Sequence, residues 1–401
     1  MLKTFQKIVK QIQGLPEREF QTGRTQEQAL EHIHSIRSGS GNKEQLYSYL
    51  YSHDPDIRRT AAQALKDTWQ GARNAADTQI MSMCLADTSA IEQVHIRQFV
   101  TDWEAQTSLA PGAYWTPVVL AGLVEQGVGA QTTLYALARD RERSVNTKVL
   151  ALWAIGLIGE QESHLLSEVY TKQANQGMQQ AVVQALRFSG PVCVPDLCAL
   201  LEQEQDEDLC LELALALGWM GSDAVSSLKQ LLGSEKRIVR EYAGLALLAA
   251  ADPDGWKLLW PLKASQKNGR LKALINEAII ALRGNAASWE ELSSFDGAAR
   301  LCTEQRILTA LNRVDNDLLF IIFVSMLAHV SGQDRVPALQ KIIHGTKDDY
   351  LMFQADQVLG ACGANSELES MLGQGNTFMR TYACLALLAS GFPVMQSLAR
   401  S

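Results

Sequence analysis

One pattern written four times between Lys148 and Leu262 limits what this chain can fold into. Ala154, Ala185, Ala216 and Ala246 stand 31, 31 and 30 residues apart. Each is followed at once by Ile155, Leu186, Leu217 or Leu247, and five residues on by Gly159, Gly190, Gly221 or, in the last copy, Ala251. Leucine stands twelve residues after every one of these alanines, at 166, 197, 228 and 258. A fixed period near 31 that joins helical spacing, a turn glycine and a second helical spacing predicts stacked helical hairpins.

The hairpins explain why they must stack. Val239, Ala243, Ala246, Leu247 and Ala250 fall at i, i+4, i+7, i+8 and i+11, one face of a helix. Alanines on that face let neighbouring helices approach, and the leucine fills the space between them. The glycine near the helix end can take positive φ and turn the chain. A second apolar helix returns, as in Val225, Leu228, Leu231 and Leu232. A single hairpin cannot cover its own apolar face, so each repeat needs the next. The spacing predicts an all-α protein, an α-solenoid of stacked antiparallel helix pairs.

The runs Asp54-Pro55-Asp56-Ile57-Arg58-Arg59 and Ile238-Val239-Arg240, each followed by spaced alanines and Ala-Leu, resemble HEAT repeats, in particular the phycobilisome-lyase-like subgroup. The resemblance covers about residues 45–400 and implies a right-handed superhelix. It also implies that the arginine after the branched residue binds an acidic group or carbonyl in the adjoining turn, giving an inter-repeat ladder. Arg58, Arg240 and Arg380 match that position, whereas Lys148, Gln179 and Cys210 stand there in other copies. HEAT-like proteins include scaffolds, transport factors, lyases and glycosylases, so the resemblance implies a fold and not an activity.

Composition narrows the classes. The 401 residues are 47% hydrophobic and 20% charged, as expected of a folded chain. With 36 basic against 44 acidic residues the formal net charge is −8, which argues against a surface that tracks nucleic-acid phosphates. Seven cysteines in mostly apolar helical text read as buried free thiols of a reducing compartment. The start Met1-Leu2-Lys3-Thr4-Phe5 has no apolar signal region, and the longest apolar run, Leu318–Val330, is too short to span a bilayer. Both point to a cytoplasmic protein.

Along the chain, residues 1–45 read as capping helices, with Leu2, Phe5, Ile8, Val9 and Ile12 on one side of an amphipathic segment opposite Lys3, Lys7 and Lys10. HEAT-like repeats are expected over 46–283, interrupted near 101–117, where Trp103, Pro111, Gly112, Tyr114, Trp115 and Pro117 exclude continuous helix. Trp103, Tyr114 and Trp115 form a candidate recognition loop. The acidic run Glu202–Asp208 falls in an inter-helix turn, and a solvated turn is its ordinary reading. After Leu282 the register slips, with 45 residues from Ala281 to Met326, so 284–300 reads as an inserted loop or hinge before repeats resume over 301–401. There Met379–Ala389 matches Val239–Ala249 at eight of eleven positions.

No phosphate loop, dinucleotide fingerprint, nucleophile elbow or His-Glu-x-x-His motif is present. His164 and Glu168 share a helix face but lack the second half of a metal site, and Cys193, Cys198 and Cys210 read as packing thiols. No cofactor or metal is expected. A non-enzymatic scaffold or adaptor that grips a protein or peptide on its concave wall is the first functional reading. A bilin-lyase-like or chaperone-like HEAT protein is the alternative, and a DNA-glycosylase-like one is disfavoured by charge.

Stepping 100° per residue from the signature alanine, the positions five before, one before and two after it point away from the helix core. They predict a groove of Val149, Trp153, Gln180, Gln184, Arg187, Leu211, Leu215, Glu241, Leu245 and Leu248. Apolar side chains are too frequent among them for an ordinary solvated face, which suits an amphipathic or extended partner segment.

Overall fold

The computed structural model describes residues 26–40, 45–49, 57, 60–61, 64, 120–124, 127–141, 145–159, 163–172, 175–264, 268–284, 288–374, 377–392 and 394. Among these are 19 α-helices, a few 3-10 turns and no strand. The expected segment 2–13, the loop 101–117 with Trp103, Tyr114 and Trp115, and Arg58 lie outside the described residues. The chain divides into two compact units, 159–364 and the described residues on either side of it.

In the flanking unit, α1 (Gln26–Arg37) packs on α2 (Leu46–Tyr49), where His32 Nδ1 and the Tyr49 hydroxyl are 2.8 Å apart. Helices α3 (Gln131–Arg139) and α4 (Val145–Ile158) pack as neighbours. Helices α18 (Asn365–Gln374) and α19 (Thr377–Ala389) do the same, with Tyr382, Ala383, Leu385 and Ala386 buried.

The central unit carries the clearest copies: α5 (Ser163–Lys172), α6 (Gln176–Ser189), α7 (Val194–Gln203), α8 (Glu207–Trp219), α9 (Ser222–Leu232), α10 (Arg237–Ala249) and α11 (Pro253–Lys257). Then come α12 (Gly269–Arg283), α13 (Phe295–Leu301), α14 (Glu304–Leu311), α15 (Asp317–Met326), α16 (Arg335–Gly345) and α17 (Asp349–Ala361). Two rows emerge from the contacts: α6, α8, α10, α12 and α14 follow one another, and α5, α7, α9, α11 and α13 form a second row behind them. The signature alanines make the first row possible. Ala185, Ala216 and Ala246 are buried, and a Cβ built on Gly218 would sit 2.6 Å from the Cβ of Ala249, so α8 and α10 nearly touch.

Side-chain caps define where several of these helices begin. Asn175 accepts from the Met178 amide at 3.1 Å, and Asp206 accepts from the Asp208 and Leu209 amides at 2.9 and 3.0 Å. Asn316 and Asp348 cap α15 and α17 in the same way. The acidic turn 202–208 is largely absorbed by structure: Asp206 is a cap, Glu207 pairs with Arg270 at 3.1 Å, and Tyr170 donates to Glu204. Arg240 is held by the turns on both sides of its helix. It donates to the carbonyls of Ser234 at 2.6 Å and Glu235 at 2.8 Å, and reaches Asn268 in the following turn at 3.2 Å.

The turn glycines take positive φ, with Gly190 at 83° and Gly221 at 57°, and Ala251 takes 49° in the copy that lacks glycine. A left-handed alanine costs about 1 kcal/mol. Ala251→Gly should therefore raise stability by roughly 0.5–1 kcal/mol, a net figure after the added freedom of the unfolded chain. A lowered unfolding midpoint would show that the buried Ala251 methyl outweighs its backbone strain.

The segment 284–300, expected as an inserted loop or hinge, holds a 3-10 turn (Trp289–Ser293) followed by the start of α13. Ala278 and Ala310 are buried and continue the signature at steps of 32 residues, and 288–301 supplies the second-row element between them. Leu292 is fully buried, Arg283 pairs with Glu291 at 2.8 Å, and a Cβ on Gly297 would meet the Glu291 carbonyl oxygen at 2.2 Å. The 45-residue step falls later, between Ala310 and Ala355, and the additional element is α15. Helix α15 packs on α8, α10, α14 and α17, crossing the face of the first row.

Candidate functional site

Placement of α15 and α17 over the first row changes the expected groove. Of its ten residues, Val149, Trp153, Gln180, Gln184, Arg187, Leu215, Glu241, Leu245 and Leu248 are at most 5% exposed, and only Leu211 is half-buried. A partner cannot reach the members on α6, α8 and α10 while α15 and α17 are seated. The face of α6 is legible in the sequence but its cover is not, because nothing within one repeat announces that α17 folds onto it, with Gln354 167 residues from Arg187.

The covered face is polar where it should be apolar. On α6, Gln180, Gln184 and Arg187 lie at i, i+4 and i+7; on α17, Tyr350, Gln354 and Gln357 repeat the same spacing. Between them α8 contributes Glu212 and Trp219. Gln184 Nε2 donates to Glu212 Oε2 at 2.8 Å, and Arg187 Nη1 donates to Gln354 Oε1 at 2.8 Å, a bond between residues 167 apart in sequence. The Arg187 guanidinium carbon lies 3.8 Å from the Trp219 ring centre and 5.8 Å from that of Phe353, so aromatic faces flank the cation.

Burial dominates the electrostatics. It pushes the Glu212 carboxyl up to about 7, against the lowering influence of Arg187, Tyr350 and Gln184. Burial lowers Arg187 to about 10, opposed by Tyr350 and Glu212. Asp356, fully buried on α17, is raised well above the usual carboxylate range by burial alone, and neither of its oxygens has a hydrogen-bond partner. Arg187 and Glu212 feel each other's charge without forming a direct ion pair.

Glu212, Trp219, Gln354, Asp356 and Gln357 were not among the expected site residues. Their signal was present: a lone carboxylate within Leu209–Leu217, and three polar residues in succession around Ala355 in otherwise apolar helical text. The expected positions on α8, Leu211 and Leu215, miss Glu212 because the buried arc is wider than the three positions chosen.

The other candidates resolve into structure. Glu168 pairs with Lys172, leaving His164 exposed on the same helix. Cys193, Cys198 and Cys210 are buried, and burial raises Cys198 to about 11 and Cys210 to about 12, so the thiols of Cys198 and Cys210 stay protonated near neutrality. Among the described residues no group of three or more His, Cys, Asp or Glu could hold a metal ion, and no helix is long and apolar enough to cross a membrane.

A second feature of the central unit is open. Helices α14, α15, α16 and α17 enclose a groove of about 560 Å³ walled by Leu308, Leu311, Phe320, Ile342 and Leu351, with exposed Lys341 on its edge. Lys341 has no ion-pair partner among the described residues. No protein-family model matches the chain, and no curated protein matches it.

Proposed function

We propose that this protein is a non-enzymatic scaffold or adaptor of HEAT-like repeats, wound as a right-handed superhelix of antiparallel helix pairs, that binds a segment of a partner protein. The reading rests on the groove between α14 and α17, an open concavity with apolar walls. The occupant is an amphipathic helix of the partner, two or three apolar side chains of which enter the groove while an acidic residue faces Lys341. A volume of about 560 Å³ suits that number of side chains, and Lys341 supplies the one charge on the rim. The buried thiols Cys198 and Cys210 fit a reducing, cytoplasmic setting.

Site-specific photocrosslinking in intact cells tests it. A photoreactive phenylalanine analogue at Leu311 should yield a discrete protein adduct that Ile342→Glu abolishes. The same probe at Val192, 63% exposed, should not yield that adduct. Absence of an adduct at Leu311, or an adduct indifferent to Ile342→Glu, would remove the groove as the binding site.

A further inference from the structure

We infer that the polar interior between α6, α8 and α17 is a binding site for a small carboxylate, held on the Nε–Nη2 edge of Arg187. The inference is independent of the groove between α14 and α17. Arg187 is 3% exposed and spends only Nη1 on the protein, donating to Gln354. Its Nε and Nη2 are buried and have no hydrogen-bond partner. Those two groups form the side of the guanidinium whose parallel N–H bonds match the two oxygens of a carboxylate. Trp219 and Phe353 flank the cation and hold that fork in place.

The surroundings have the composition of a receptor for an acceptor-rich group. Gln354 Nε2 and Gln357 Nε2, both buried on α17, are unpartnered donors, and Gln180 on α6 has neither side-chain atom satisfied. Buried donors are nearly always paired in folded proteins, yet these bond neither to one another's carbonyls nor to Gln184 Oε1 or the Asp356 oxygens, which are themselves buried and unpartnered. Glu212, the carboxyl whose charge Arg187 feels, does not serve. Glu212 already accepts from Gln184 and makes no direct pair with Arg187. A ligand carboxylate would neutralise the guanidinium, satisfy Nε and Nη2 together, and leave the glutamine amides for the rest of the molecule. Because α17 closes over the site, binding would clamp α17 to α6.

Thermal unfolding of the full chain, titrated with acetate and succinate at constant ionic strength set with chloride, tests the assignment. Saturation with the better carboxylate should raise the midpoint by roughly 5–10 °C at a hundredfold excess over Kd. Arg187→Gln should abolish the rise, and Arg187→Lys, which keeps the charge but loses the fork, should weaken binding at least about tenfold. Should Arg187→Gln fail to fold, Arg187→Lys carries the test alone. No saturable rise in the wild-type protein would overturn the site and leave its donors to water. An equal rise with inorganic phosphate would overturn the carboxylate assignment, and a rise unchanged in Arg187→Lys would place the ligand elsewhere.

Discussion

Ala216→Arg should lower the unfolding midpoint of the protein by about 6 °C or more. Ala216 is 1% exposed on α8, in the row where α6, α8 and α10 lie side by side, and a Cβ added at Gly218 would come within 2.6 Å of the Ala249 Cβ, which shows how little room separates α8 from α10. A guanidinium placed there must either remain buried without a partner or force the row apart. Leaving a charge unpaired in such a place costs on the order of 3 kcal/mol or more, which for a unit of this size corresponds to the midpoint shift given. Ser226→Arg on the exposed side of α9 is the matched control and should be near neutral. If the two variants melt within a degree or two of each other, the signature alanines do not set the helix spacing.

That experiment addresses the part of the fold written in the local sequence. The alanine, its leucine and the positive-φ residue recur because every copy solves the same problem of close approach and turning. The register continues beyond the four clearest copies, since Ala278 and Ala310 keep it across 284–300. Leu292 is buried there and a Cβ on Gly297 would meet the Glu291 carbonyl oxygen, close packing that turn-forming residues in the sequence do not announce. The interior site was half legible. Gln180, Gln184 and Arg187 can be placed on one face of α6 by angle alone, but the bond from Arg187 to Gln354 depends on a long-range return of the chain. Helical periodicity carries no information about such a return. Only the oddity of Glu212 and Asp356 in apolar helices pointed to it.

The same two carboxyls give the stability of the protein an unusual pH dependence. Glu212 is raised to about 7 from an ordinary value of 4.5, so between those values the folded state holds a proton that the unfolded chain has lost. Stability at this site is therefore full below about pH 4.5 and falls as pH rises toward 7. Above that it is lower by about 3 kcal/mol, taking 1.36 kcal/mol per unit. Asp356, raised by burial and lacking partners, acts in the same direction. Arg187 and Tyr350 face Glu212 but keep their protons through this window, because Arg187 titrates near 10 and Tyr350 is raised above its usual value. Glu212→Gln keeps an oxygen for Gln184 and removes the ionisable proton. Its stability should equal that of the wild type near pH 4.5 and exceed it by about 2–3 kcal/mol at pH 8, read as the difference between the two denaturation curves at each pH. A wild type more stable than Glu212→Gln at pH 8 would mean that attraction to Arg187 outweighs desolvation, making the charged carboxylate a net stabiliser of the α6–α8–α17 core.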